Sequence, residues 1–547
     1  MQSLTLAKRV WLLLFLAVIA FYFYGLGQIP FVGPDEPRYT EVAREMFLRR
    51  DLITPTLGGR TWFEKPPLLY WMMMASFRLF GINEWAARLG PAVSGVLTVL
   101  AVFWVGRRAC RASLDHEINA LGAWSAITAA TTLGLIVFSR GVGFDIVVTM
   151  TITWSLSFFL VSEFAENEKQ RRALLAGFYC FIGLSLLAKG LIGLIIPFGV
   201  IGTYQLLRRE FPAKHFLLTL VWGLPLALAV SAVWYVPVIA RHGWLFVDEF
   251  FIQHHFARYL SNKYHHPQPF YFYLLIIIPL SLPWTAFLVE ALIRARTLKL
   301  RGADALDKQR VFALAWLLMP LAFFSFSGSK LPGYIVPVLP AAALIAGPFL
   351  AGYVSGRVEA GRRAVRATGA VLALFVIGGV LYVRSSGSLS TWCAVLIAAP
   401  LTIAALACLC FPQRRRPVSS AIICATLAAV LIALNCGLRG LAERESVKDL
   451  IQIANARGYG SAPVYALHEI NRSLEFYAAG RVVYAADGDP MKLEGAFEVL
   501  EAAKKQNGPV LIVVPVEYVH QLTDLKEARA DLLGNNGRVA LLALSAR

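Results

Sequence analysis

The residues best suited to chemistry sit in short polar stretches between apolar runs. FVGPDEPRYTEVAREM, from Phe31, offers Asp35, Glu36, Arg38 and Tyr39, and WFEKPPLLYW offers Glu64 and Lys65. SRGVGFD holds Arg140 and Asp145, LLAKGLIG holds Lys189, and SGSKLPGYIVPVLPA holds Lys330 and Tyr334. QHHFARYLSNKYHHPQP supplies His254, His255, Arg258, Lys263, His265 and His266. Lys and Arg at an interface bind a phosphate as charge-assisted donors. A carboxylate beside them can act as a general base, orient a nucleophile or hold a metal. Glu and His together are Zn²⁺ donors by type, although no fixed spacing marks a site here. Apolar walls between spans would hold a lipid tail. The chemistry implied is the handling of a lipid phosphate at a membrane surface.

Each stretch has an ordinary structural reading as well. Asp35 and Glu36 would oppose the dipole of a following helix. Glu64 and Lys65 would be a solvated pair, and Arg140 with Asp145 would close a hairpin. Lys189 would be a turn residue reaching water, the His-rich stretch an amphipathic loop, and the Lys330 segment a proline-kinked entry to a span.

Composition says which elements must position these groups. Of 547 residues, 57% are hydrophobic and 16% charged, well below the roughly 25% charged residues of a soluble domain. Apolar runs able to cross a hydrocarbon core of ~30 Å as helices recur along most of the chain. They lack the alternation of barrel strands. About thirteen transmembrane helices are expected, near 9–27, 86–106, 118–138, 145–163, 173–188, 190–207, 216–238, 271–292, 311–327, 333–353, 366–383, 389–411 and 418–437. The first follows Lys8 and Arg9, is longer than a signal core and reads as an uncleaved anchor.

The net charge of +18 would suit nucleic acid, but its placement excludes that partner. Lys and Arg cluster in short loops, as the orientation rule for membrane insertion requires, where they also attract anionic membrane lipids. With the N-terminus in the cytoplasm, the clusters at 107–111, 169–172, 208–214, 294–310, 357–363 and 414–416 fall inside. The outer turns then hold one basic residue each, and the C-terminal tail lies outside. Two outer loops are long, at about 28–85 and 239–270. In the first, Pro37 can open a helix with Tyr39, Val42, Met46 and Phe47 on one face and Arg38, Glu41, Arg44 and Glu45 elsewhere. PPLLYWMMMASFRLFG, from Pro66, is too short to span and reads as interfacial or re-entrant.

The membrane part is expected over 1–437 and a small periplasmic α/β domain over 438–547. In the latter, strands are expected at 462–467, 480–485, 508–514 and 537–544, with helices at 471–479 and 493–505. It has no Gly-rich phosphate loop, so no nucleotide is expected. The seven cysteines, at 110, 180, 393, 408, 410, 424 and 436, lie in or beside spans without metal-type spacing, and no disulfide framework is expected. On this topology all the chemistry-bearing residues named above gather in outer loops or at outer span ends. Ionisable groups at membrane depth are costly and mark sites.

Taken in order, GPDEPRY, EKPPLLYW, SRGVGFD, AKGLIG and SGSKLPGYIVPVLPA resemble the GT-C membrane glycosyltransferases that take sugar from polyprenyl phosphates. The resemblance covers the whole membrane part and is nearest to the 4-amino-4-deoxy-L-arabinose lipid A transferase family. It implies an undecaprenyl-phosphate-linked aminoarabinose donor and a lipid A phosphate acceptor at the periplasmic face of a Gram-negative inner membrane. The family's role is resistance to polymyxin and other cationic peptides. Carried over, Asp35 is the central acid, Asp145 the second acid and Lys65 a phosphate contact. Arg258 and Tyr334 fall where donor-phosphate contacts are expected. Glu64 with His254 or His255 is where a divalent metal, Zn²⁺ or Mg²⁺/Mn²⁺, would sit. By residue type and placement, Glu36 joins the catalytic candidates, and Arg38, Tyr39, Arg140, Lys189 and Lys330 the substrate contacts. The rivals are a transferase of another polyprenyl-linked sugar or to a protein hydroxyl, and a lipid-linked sugar flippase. Transporters place charges near the midplane, which disfavours the last.

Overall fold

The computed structural model describes residues 16–113, 121–257, 268–358, 361–387, 389–485, 488–506 and 508–546. Backbone groups in lipid must be satisfied within their own segment, so the apolar runs become helices. Among the described residues, eight helices are long and apolar enough to cross a membrane. They are Glu84–Ala112, Phe144–Ser162, Glu168–Lys189, Phe216–His242, Pro332–Ser355, Gly361–Ser386, Thr391–Cys410 and Arg415–Glu445. The chain is therefore a multi-span helical membrane protein.

The other expected spans take different forms. The run at 118–138 is split into Leu121–Ala130 and Leu133–Phe138. At the break, the hydroxyls of Thr131 and Thr132 donate to the carbonyls of Ile127 and Thr128. The run at 271–292 is split into Phe272–Leu280 and Thr285–Ile293. The runs at 190–207 and 311–327 are the helices Ile192–Arg208 and Ala305–Ser325. The first run is described only from Leu16 and is helical to Phe23.

The first long loop folds into a helix, Asp35–Arg49, a hairpin of β1 (Thr56–Leu57) and β2 (Arg60–Thr61), and a 13-residue helix, Leu68–Phe80. Tyr39, Val42 and Met46 are buried as the periodicity predicts. Glu41, expected on the polar face, is buried too and pairs with Arg44 at 2.7 Å. The reason is tertiary: the C-terminal sheet unit covers that face.

That unit holds a five-stranded sheet in the order β4-β3-β5-β7-β6, built from β3 (Val464–Leu467), β4 (Lys492–Leu493), β5 (Val510–Pro515), β6 (Ala528–Asn535) and β7 (Val539–Ala546). β3 runs parallel to β4 and β5, and β7 is antiparallel to β5 and β6. Alternate β5 residues face opposite layers, as the pleat requires. Leu511 and Val513 pack with Leu450, Ile451 and Leu474, while Val510, Ile512 and Val514 pack with Val499, Leu500 and Leu522. Residues 480–485 form only single bridges, through Val482 and Tyr484, so the strand expected there is replaced by β4 and β6.

One expectation about cysteine is overturned. Cys393 and Cys436 form a disulfide, with Cα atoms 5.8 Å apart. The hairpin of Thr391–Cys410 and Arg415–Ile432 brings the two ends together, a pairing across 43 residues that local spacing could not reveal.

Candidate active site

Asp35 opens the first-loop helix and remains 54% exposed. Its carboxylate accepts from Arg38 Nη2 at 2.9 Å. The Arg38 guanidinium lies 5.2 Å from the Trp62 ring centre and 5.6 Å from that of Tyr39. Its Nε is buried without a hydrogen-bond partner among the described residues. Burial works against the Arg38 charge, but Glu64, Tyr39, Asp35 and Glu475 outweigh it and hold the group fully protonated. Tyr39 and Tyr70 both pack edge-on against Phe144, at 5.0 and 5.3 Å. The first loop thus rests on the residue that precedes Asp145.

Glu64 and Lys65 form an ion pair at 2.7 Å, with side chains only 11% and 13% exposed. Phe63 anchors them in an aromatic cluster with Trp234, Phe246 and Phe250. The backbone N–H of Phe63 donates to Glu249 Oε1 at 3.4 Å. Pro66 and Pro67 then lead into the helix at Leu68, where missing N–H groups cost nothing.

Asp145, in the first turn of Phe144–Ser162, forms an ion pair with Lys189, the last residue of Glu168–Lys189. Lys189 Nζ lies 4.9 Å from the centre of the Tyr334 ring. Gly333 abuts this pair, and a methyl group there would run into the Asp145 carboxylate. Three separate motifs, Asp145, Lys189 and Tyr334, thereby meet beside the first loop.

The remaining candidates are engaged elsewhere. Both Glu36 oxygens are taken up by Arg88, Nε at 2.9 Å and Nη2 at 2.8 Å, and Glu36 also accepts from Val142 N at 2.9 Å. Arg88 further donates to the carbonyls of Leu26, Ile29 and Pro30. One buried node thus fixes both the entry to Asp35 and the turn that carries Asp145. Arg140 donates to the carbonyls of Phe21 and Tyr24. Lys330 is buried and donates to Ser327 O at 2.7 Å and Gln268 O at 3.1 Å. Arg258 and the side chain of His255 lie outside the described residues, and His254 falls in the helical stretch Val247–Ala257. Among the described residues no three His, Cys, Asp or Glu groups cluster to hold a metal.

Sequence reasoning missed two residues. Arg88 left a signal, an ionisable group in the apolar run EWAARLG, which membrane cost alone should have flagged. Glu475 left none. It comes from the sheet unit, is fully buried and pairs with Arg472 at 3.2 Å, with its second oxygen unpartnered among the described residues. Burial pushes its carboxyl up to about 7 against the pull of Arg472 and Arg38. A cavity of about 640 Å³ lies elsewhere, between Glu168, Arg172 and Trp222. It is at the far end of the helix that carries Lys189, so it plays no part in this site.

Arg38 pairs with Asp35 and feels the charge of Glu64, which pairs with Lys65, and a second acid–cation pair stands at Asp145–Lys189. Residues 64–235 match the family of dolichyl-phosphate-mannose-protein mannosyltransferases. An undecaprenyl phosphate-alpha-4-amino-4-deoxy-L-arabinose arabinosyl transferase from Erwinia tasmaniensis is 32% identical over 63% of this chain and 60% of its own length. One of the same name from Pseudomonas paraeruginosa is 30% identical over 69% and 66%. The chain thus spans about three-fifths of the curated relatives' length. The crystal structure of ArnT from Cupriavidus metallidurans bound to undecaprenyl phosphate superposes with a TM-score of 0.77 at 23% identity, covering 97% of this chain and 98% of that one. The chain shares the fold of that ArnT structure, and its sequence resembles the undecaprenyl phosphate-aminoarabinose arabinosyl transferases.

Proposed function

We propose that the protein transfers 4-amino-4-deoxy-L-arabinose from undecaprenyl phosphate to a phosphate of lipid A. The site face would be the periplasmic side of the inner membrane, with the N-terminus in the cytoplasm. What supports this reading is that the loop carrying the Asp35–Arg38 and Glu64–Lys65 pairs packs, through Tyr39 and Tyr70, on Phe144, next to the Asp145–Lys189 pair. The relatives' shared name supports the choice of sugar and carrier.

In the reaction an oxygen of the acceptor phosphate attacks the anomeric carbon. The bond from that carbon to the donor phosphate oxygen breaks, and undecaprenyl phosphate leaves with the electron pair. Lys65, exchanging its Glu64 partner for phosphate, and Arg38, with its unpartnered Nε, stabilise the growing charge on the leaving group. A lipid A phosphate is already anionic near neutral pH. Asp35 therefore orients the acceptor or stabilises positive charge developing on the sugar. Asp145 holds Lys189 against Tyr334, shaping the far wall. Energy comes from the donor, and no nucleotide enters.

The match of residues 64–235 favours a second reading, transfer to a protein hydroxyl. A hydroxyl must lose a proton, and Asp35 would then be a true general base. Incubating the purified protein with undecaprenyl-phosphate-aminoarabinose, lipid A and a hydroxyl-bearing protein acceptor distinguishes them. Mass spectrometry should show lipid A heavier by one aminopentose residue. Unmodified lipid A beside a glycosylated protein acceptor would select the second reading.

A further inference from the structure

We infer that Cys393–Cys436 is a redox-dependent staple that holds the C-terminal sheet unit on the site face. Cys393 lies near the start of Thr391–Cys410, and Cys436 in the short segment Ala433–Gly437, where the last span hands over to Leu438–Glu445. The neighbouring Asn435 accepts a hydrogen bond from the Tyr24 hydroxyl at 3.0 Å. Tyr24 comes a few residues before the loop that carries Asp35, so bond and loop share one end of the bundle.

Beyond this hinge the sheet unit docks on the first loop through few polar contacts. Lys448 Nζ meets Glu84 Oε1 at 2.6 Å, and the Tyr477 hydroxyl donates to the same oxygen at 2.9 Å. Tyr477 in turn accepts from Phe31 N at 2.8 Å, and Arg60 donates to Ala485 O at 2.9 Å. Phe31 and Phe476 pack edge to face. The disulfide fixes the point from which all of these contacts are reached.

Cys180, Cys408, Cys410 and Cys424 carry free thiols, and Cys110 is not disulfide-bonded. Cys110, Cys408 and Cys410 lie at the opposite ends of their helices, next to Arg107, Arg108, Arg111 and Arg414–Arg416. The bonded pair thus lies at the site face, Cys110, Cys408 and Cys410 lie beside the basic clusters, and Cys180 and Cys424 lie mid-helix. That partition fits an oxidising compartment on the site side and a reducing one behind it. As the S–S bond forms, the two thiols pass two electrons and two protons to the disulfide of an oxidised dithiol protein in the site-side compartment, whose own S–S bond breaks and which leaves as its dithiol.

The test uses the full chain in membrane vesicles with the site face outward. Denatured without reductant, the protein should take up five maleimide labels, and after treatment with a membrane-impermeant phosphine it should take up seven. Cleavage by trypsin at the exposed Arg439 and Arg444 should become several-fold faster in the phosphine-treated wild type. The Cys393→Ser, Cys436→Ser double variant should match it without phosphine. Seven labels before reduction would overturn the inference, as would two extra labels that appear only after the vesicles are permeabilised. Unchanged trypsin cleavage once the bond is open would equally overturn the staple. None of these readouts depends on transferase activity.

Discussion

Asp35 and Lys65 differ in how firmly the protein holds them, and that difference predicts how their variants fail. The Asp35–Arg38 pair is solvent-facing on the acid's side, and exposed pairs contribute less than ~1 kcal/mol. Asp35→Asn should therefore leave the unfolding midpoint within a few degrees of wild type. Lys65 is mostly buried against Glu64. Lys65→Ala should raise the donor KM about tenfold or more, with a smaller effect on kcat. Donor-titrated initial rates check this, and an unchanged donor KM would remove Lys65 from phosphate binding. That Asp145, Lys189 and Tyr334 would come together was legible because charged residues in an apolar chain are few, and each of these stands at the end of an apolar run. The Glu64–Lys65 pairing was legible as neighbours. The engagement of Glu36 by Arg88 was not, because it joins positions 52 residues apart.

The elements that deliver these side chains are tied by buried ion pairs rather than by propensity. Arg88 sits in the interior of Glu84–Ala112, just 3% exposed, and binds Glu36 together with three loop carbonyls. Removing one partner of such a pair leaves an uncompensated charge and costs ~3–5 kcal/mol. Arg88→Ala should lower the unfolding midpoint in detergent far more than Asp35→Asn does. It should also lower transfer, since both Asp35 and Asp145 lose their support. A wild-type midpoint would show that the node does not hold the loop. Gly333 is a quieter constraint of the same kind, because its missing side chain is what lets the 332–338 turn approach Asp145. Helix positions were readable from apolar run length. The splits at Thr131–Thr132 and Ser281–Trp284 were not, because hydropathy averages across a break that side-chain hydroxyls and neighbouring helices stabilise.

The membrane part and the sheet unit are coupled through two carboxyls with displaced titrations. Burial pushes both Glu41 and Glu475 from the ordinary value of 4.5 to about 7. Glu475 faces Arg472, Arg38 and Asp489, while Glu41 faces Arg44, Glu45 and Glu475. Between those pH values the folded state keeps protons that the unfolded chain has lost. The stability they contribute is therefore full below about pH 4.5 and is lost as pH rises through about 7. Glu475→Gln should flatten that decline by ~1–3 kcal/mol, read from unfolding midpoints at pH 5.5 and 8. An unchanged slope would show that Glu475 does not titrate in this range. The sheet unit's existence was evident from a change in composition. Its placing of Glu475 within electrostatic reach of Arg38 was not, since an influence between residues more than 400 positions apart leaves no local trace.

The most direct test of the whole account separates binding from chemistry at Asp35. Undecaprenyl phosphate affinity and aminoarabinose transfer would be measured side by side on wild-type and Asp35→Asn protein of equal monodispersity. The account predicts unchanged affinity with transfer reduced at least ~100-fold. Transfer retained near the wild-type rate would contradict it.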